Sequence, residues 1–145
     1  KAFDKAINNS NKVAMSLSDL FCVERHKKQF LDLVENKLDI VFANEQEIFS
    51  LISSKSFNDA VSYAKSLNKI MVITRGEKCA ISINGGETVE FPAQSNLKII
   101  DLTGAGDLFA AGYLHGLINK MSINESLAKG TELSSKIIQK IGARI

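Results

Sequence analysis

The stretch Asp101-Leu102-Thr103-Gly104-Ala105-Gly106-Asp107 sets a carboxylate directly after residues with almost no side chain. Apolar residues at positions 108, 109, 113, 114 and 117 then recur at helical spacing. A small-residue turn therefore sits where a helix begins. Backbone N–H groups there lack intrahelical partners, and the helix dipole favours negative charge. Gly104, Ala105 and Gly106 let an anion approach those donors closely, and Asp107 adds a base beside them. Donors for a moving charge beside a base for an attacking hydroxyl are what phosphoryl transfer needs. The plainer reading is a structural turn, because an acidic first turn suits any helix. Neither familiar nucleotide signature fits: Gly104-x-Gly106 lacks the third glycine of the dinucleotide fingerprint, and no Gly-Lys-Ser/Thr follows as a P-loop requires.

Two further clusters carry chemistry. Asn44-Glu45-Gln46-Glu47 follows an apolar run and opens a helical pattern. It reads either as an N-terminal cap with an acidic first turn or as a polar cluster holding waters around a magnesium ion. Ile73-Thr74-Arg75-Gly76-Glu77-Lys78 ends a strand in Thr and Gly. It can lay backbone against a nucleotide, or serve only as the turn into the next strand.

The elements that must position these residues alternate. Helical character over 2–10 precedes a strand over 13–17, and an amphipathic helix over 24–36 carries Phe30, Leu31 and Val34. Leu38–Ala43 reads as a strand buried on both faces, followed by helices at about 45–52 and 57–67, the second capped by Ser56 or Asn58. Ile70–Thr74 is a third strand, and strands over 79–84 and 87–91 flank the hairpin signal Asn84-Gly85-Gly86. A strand over 98–100, a helix over 105–119 and a last helix over 123–140 complete the chain, with Ser122 or Asn124 as start and Gly142 as stop. Repeated βα units predict an α/β fold, a mostly parallel sheet flanked by helices, with ligands at the carboxyl ends of the strands. Asp19, Asn44 and Glu47, Thr74–Gly76 and Thr103–Asp107 all fall at those ends.

Composition narrows the function classes. The 145 residues amount to one domain, 45% hydrophobic and 23% charged. A net charge of +2 without a Lys/Arg block argues against nucleic acid, and no apolar run approaches the about 20 residues a membrane span needs. Cys22 and Cys79 are far apart and lack metal spacing, as expected of idle thiols in a reducing cytoplasm, and His26 and His115 are isolated. The chain opens at Lys1 and runs straight into helical residues, which reads as the interior of a longer protein.

The motif Asp101-x-Thr103-Gly104-Ala105-Gly106-Asp107 resembles the C-terminal signature of the ribokinase (PfkB) family of sugar and nucleoside kinases. Asn44-x-x-Glu47 resembles the family's other motif, in the expected order. Ser16–Phe21 and the run from Ser134 through Gly142-Ala143-Arg144 look like the adenosine kinase branch. The resemblance covers residues 1–145 but only the C-terminal half of a family member, and implies a ribokinase-like fold that lacks its N-terminal half.

The implied roles are specific. Asp107 matches the catalytic base, and Gly104, Ala105 and Gly106 match the anion hole for the γ-phosphoryl group. Asn44 and Glu47 match the magnesium- and phosphate-organising motif, Glu47 acting through water. Thr74, Arg75 and Gly76 match a segment beside the ATP phosphates and ribose. Where many members carry a second glycine three residues on, this sequence has Cys79. Asp101 and Thr103 lie where many members bind an activating potassium ion, with carbonyls supplied near Gly142. The adenine is expected between the segment after Pro92 and the last helix.

The resemblance thus implies an ATP- and magnesium-dependent cytoplasmic kinase acting on a nucleoside or sugar, with adenosine favoured. A sugar kinase of the same family and a non-catalytic nucleotide-binding module are the alternatives; a dinucleotide-binding fold is disfavoured by the missing third glycine. Loss of neighbouring strands predicts an apolar sheet edge, and with it a homodimer or self-association.

Overall fold

The computed structural model describes residues 2–144. Five strands form one hydrogen-bonded sheet in the order β1-β2-β3-β4-β5. The chain divides into two compact units, one made of residues up to Ile73 with Ile83–Thr88, the other of Thr74–Ser82 with the residues from Val89 onward.

The first unit starts with α1 (Ala2–Asn9) and β1 (Ala14–Ser16). β1 runs parallel to β2 (Ile40–Asn44), with Met15 opposite Val41. Ile40 to Ala43 are all buried, as an apolar strand covered on both faces must be. The single helix expected over 24–36 is two helices, α2 (Leu20–Arg25) and α3 (Lys27–Asn36). Asp19 starts α2 early, its side chain accepting the Cys22 N–H at 3.1 Å. The chain then breaks at His26, which leaves helical geometry at φ −119°, and both Val23 of α2 and Val34 of α3 are fully buried. The Lys69 ammonium donates to the Val34 and Glu35 carbonyls at 2.7 and 2.8 Å, closing the end of α3 where a cation is favoured. α4 (Glu45–Ile52), α5 (Phe57–Ser66) and β3 (Ile70–Thr74) follow, and Ser56, not Asn58, caps α5.

Cys79–Asn84 (β4) and Glu87–Pro92 (β5) are joined through Gly85 and Gly86, a connection too short for anything but antiparallel neighbours. The sheet is therefore mixed, parallel where β1 meets β2 and antiparallel at this hairpin.

In the second unit, α6 (Ala105–Ile118) and α7 (Ile123–Ile137) pack closely. The buried face of α6 is Phe109, Gly112, Tyr113 and Gly116, so leucines 108, 114 and 117 are less central than their spacing suggested. A methyl group at Gly112 would stand 2.7 Å from the Lys129 carbonyl, and one at Gly130 would stand 2.8 Å from the Phe109 carbonyl. Glycine thus sets the distance between the two helices. Inside the unit the Ser82 and Tyr113 hydroxyls satisfy one another at 2.7 Å.

Two expectations fail here. Residues 98–100 are not a strand: the Ile100 and Asp101 N–H groups donate to the Ile138 carbonyl at 2.7 and 3.2 Å, so the α7 terminus takes donors a sheet would have used. α7 starts at the Ser122 cap but ends at Ile137, before Gly142. Gly142 has a left-handed φ of +87° and serves another purpose, described below.

Candidate functional site

In the first unit, Asn44 and Glu47 form a reciprocal cap at the start of α4. The Glu47 N–H donates to Asn44 Oδ1 at 2.8 Å, and the Asn44 N–H donates to Glu47 Oε2 at 2.9 Å. Asn44 Nδ2 donates to the other carboxylate oxygen at 2.8 Å. Glu47 is only 5% exposed. Burial pushes its carboxyl above the ordinary range, the Asn44 N–H partly reverses this, and the negative charge of Asp19 adds to the rise. A nearby cation would favour the ionised form. Each oxygen keeps a lone pair beyond its bond within the cap, so the pair fits a water-mediated hold on magnesium. Among the described residues no cluster of three or more His, Cys, Asp or Glu side chains could hold a metal ion.

In the second unit, Gly104 sits at φ +78° as the N-cap of α6, and a Cβ there would lie 2.9 Å from that of Ala143. No L side chain suits that position on either count. The Ala105 N–H folds back on the Leu102 carbonyl at 3.2 Å, and the Leu108 N–H closes on the Gly104 carbonyl at 2.9 Å. Between them, the Gly106 and Asp107 N–H groups find no acceptor among the described residues. Nothing lies within 4 Å of where a Gly106 side chain would start, and Asp107 is exposed. An open pair of donors and a carboxylate thus share the first turn of a 14-residue helix, an arrangement that suits an anion.

Asp101 braces this turn. Its Oδ1 accepts the Thr103 N–H at 2.9 Å and its Oδ2 accepts the Gly142 N–H at 2.9 Å. The Gly142 bond, then those from Thr103, hold the carboxyl below the usual range. An ionised carboxylate beside a threonine is the oxygen-rich setting a potassium ion accepts.

A cavity of about 550 Å³ opens in the same unit. Thr74 and Gly76 line it, as do Ala105 and Gly106 of the turn. The segment after Pro92, including Asn96 and Leu97, lines it as well, as do Thr131, Ser134 and Ser135 of α7 and Ile138 just beyond that helix. Arg75 turns the backbone between β3 and β4, its N–H donating to the Cys79 carbonyl at 2.9 Å and its own carbonyl accepting the Lys78 N–H at 3.2 Å. Cys79 also lines the cavity; burial, helped by Glu90, pushes its thiol up, and Arg75 partly opposes this. The structure therefore gathers Thr74, Gly76, Ala105 and Gly106 around one cavity, with Asp107, Thr103 and Asp101 on the adjoining turn. Asn44 and Glu47 belong to the other unit.

Sequence reasoning missed Leu102, Phe109, Thr131 and Ser134 as cavity residues. Positions 131, 134, 135 and 138 do carry a signal, since their spacing marks one face of a helix.

The sequence model of the pfkB family carbohydrate kinases matches residues 1–145. The chain belongs to that family. Among curated relatives, the cytidine kinase of Thermococcus kodakarensis is 32% identical over 119 residues, covering 80% of this chain and 42% of that protein. The crystal structure of adenosine kinase from Sinorhizobium meliloti superposes with a TM-score of 0.93 at 35% identity, covering 99% of this chain and 44% of that one. A probable sugar kinase from Rhizobium etli gives a TM-score of 0.92 at 37% identity, covering 98% of this chain and 43% of that one. The sheet flanked by helices is thus the ribokinase-like fold, and the chain spans under half the length of these family members.

Proposed function

We propose that this chain is the C-terminal, nucleotide-binding portion of a kinase that moves the γ-phosphoryl group of ATP to a primary hydroxyl of a nucleoside or sugar, with adenosine favoured. The observation that carries the reading is the open first turn of α6: Gly106 and Asp107 N–H groups without an acceptor among the described residues, an exposed carboxylate, and a cavity that the same turn lines. A nucleotide base and ribose fill the cavity, with Thr74 and Gly76 against the sugar and phosphates. The Gly106 and Asp107 N–H groups, which the Gly104-Ala105-Gly106 turn leaves open while the Ala105 N–H is taken by the Leu102 carbonyl, meet the charge that builds on the transferring group. Asp107 takes the proton from the acceptor hydroxyl as the new P–O bond forms in line with the departing ADP. Asn44 and Glu47, in their own unit, would hold a magnesium ion through its waters, and such an ion would supply charge neutralisation. Asp101 and Thr103, with carbonyls near Gly142, would hold a potassium ion, which would supply fixed positive charge.

Nucleoside acceptors are favoured by the 35% identity to a protein named adenosine kinase and the 32% identity to one named cytidine kinase. A sugar acceptor is the second reading, supported by the 37% identity to a probable sugar kinase. The test is a panel of adenosine, cytidine, ribose and fructose with magnesium and ATP, using the protein with its natural flanking sequence and following products by ³¹P NMR. A nucleoside 5′-monophosphate is expected. A sugar phosphate would move the assignment to the second reading, and ATP binding without any transfer would favour a non-catalytic nucleotide-binding module.

A further inference from the structure

The shape of the small-residue turn is set from outside α6. Residues 100–104 are laced to the tail that follows α7: the Ile138 carbonyl accepts the Ile100 and Asp101 N–H groups at 2.7 and 3.2 Å, and the Gly142 N–H donates to Asp101 Oδ2 at 2.9 Å. The other Asp101 oxygen takes the Thr103 N–H at 2.9 Å. One carboxylate therefore joins the turn to the tail, and Gly104 abuts Ala143 immediately beyond that joint, with 2.9 Å to its Cβ from where a Gly104 Cβ would stand. Gly104 and Gly142 both hold left-handed φ angles, +78° and +87°. A rotation at Gly104 would swing the Gly106 and Asp107 donors together, because they follow in the same helical turn.

We propose that Asp101 is a positioning residue for this turn, its carboxylate clasping the Gly142 and Thr103 amides so that the Gly106 and Asp107 N–H groups point at the anion, with or without a bound cation. The inference rests on the reading of the turn as the site of the transferring phosphoryl group. It goes beyond that reading because it assigns Asp101 a task that a cation ligand does not perform. The two N–H donors meet different oxygens of one side chain, a pairing that a carboxylate satisfies on both sides. Asparagine has the same shape but presents an NH₂ to one of the two N–H groups, and the clasp opens on that side.

The experiment compares wild type with Asp101→Asn, in the protein with its natural flanking sequence, in potassium-containing and potassium-free buffer. Expected is a fall in kcat of at least about tenfold in both buffers, the scale of a misplaced reacting group, with the KM for ATP within about threefold of wild type. A kcat equal to wild type in potassium-free buffer would overturn the clasp and leave Asp101 as a cation ligand only. Amide hydrogen exchange on the wild-type protein supplies a second readout that needs no variant. The Gly142 amide is expected to exchange at least about tenfold more slowly than that of Ala143, and equal rates would overturn the proposal. Should wild type transfer phosphate to no acceptor, the functional reading fails, and the exchange rates still decide the clasp.

Discussion

The glycine at position 104 is the residue on which the most geometry depends. Its φ of +78° and the 2.9 Å approach to the Ala143 Cβ leave room for no side chain. Gly104→Ala is expected to destabilise the protein by about 1–3 kcal/mol, from left-handed strain plus the clash, as urea unfolding would show. Gly106→Ala is the contrast: nothing lies within 4 Å of its side-chain position, so stability should change by under about 1 kcal/mol, while the added methyl crowds the approach to the proposed anion site. Both glycines look alike in the sequence, and the difference between them was illegible there. It comes from Ala143, about forty residues away, and no local spacing rule reports a contact of that range. The Asp101 to Gly142 bond was hidden for the same reason: Gly142 reads as a helix stop because glycine often ends helices, whereas α7 already ends at Ile137.

At the scale of elements, period and capping chemistry carried most of the reading. Ser56 and Ser122 cap α5 and α7 as their side chains allow, and the Gly85-Gly86 turn joins β4 to β5. What failed was set by tertiary partners. Apolar Ile99 and Ile100 suggested a strand, but the Ile100 N–H is taken by the Ile138 carbonyl at the end of α7 and both residues are about half exposed, at 49%. The Asn44–Glu47 cap was legible as a cap or as a cation motif, and the structure shows the cap formed. Asn44→Ala should therefore cost about 0.5–2 kcal/mol in stability, measured by urea unfolding. Glu47 also gives a pH signature. Its folded pKa is raised above 4.5 by burial, so over the window from 4.5 up to that raised value the native state binds more protons than the unfolded state. This group's contribution to stability then falls as pH rises through the window. Carboxyl-carbon NMR should find Glu47 titrating above 4.5, and added magnesium should pull the midpoint down.

For the molecule as a whole, the strand order leaves β1 and β5 at the edges of the sheet. β5 carries Glu87, Glu90 and Pro92, which discourage further pairing, whereas β1 is Ala14-Met15-Ser16 with no charge or proline. Phe21, Ile118 and Ile141 add apolar surface at 77%, 78% and 86% exposure. The chain on its own is expected to associate as its concentration rises, as sedimentation equilibrium would show; a concentration-independent monomer contradicts that expectation. Membership of the pfkB carbohydrate kinases came from the Asp101–Asp107 and Asn44–Glu47 patterns, and the family model covers residues 1–145. The acceptor was not legible, because relatives of similar identity bear names for nucleoside and for sugar kinases. The most direct test of the central claim is Asp107→Asn in the protein with its natural flanking sequence, with transfer rate and ATP affinity measured side by side. The account predicts a loss of transfer of about 10²–10⁴-fold, the scale of a lost general base, with ATP bound nearly as tightly. Transfer at the wild-type rate would contradict it.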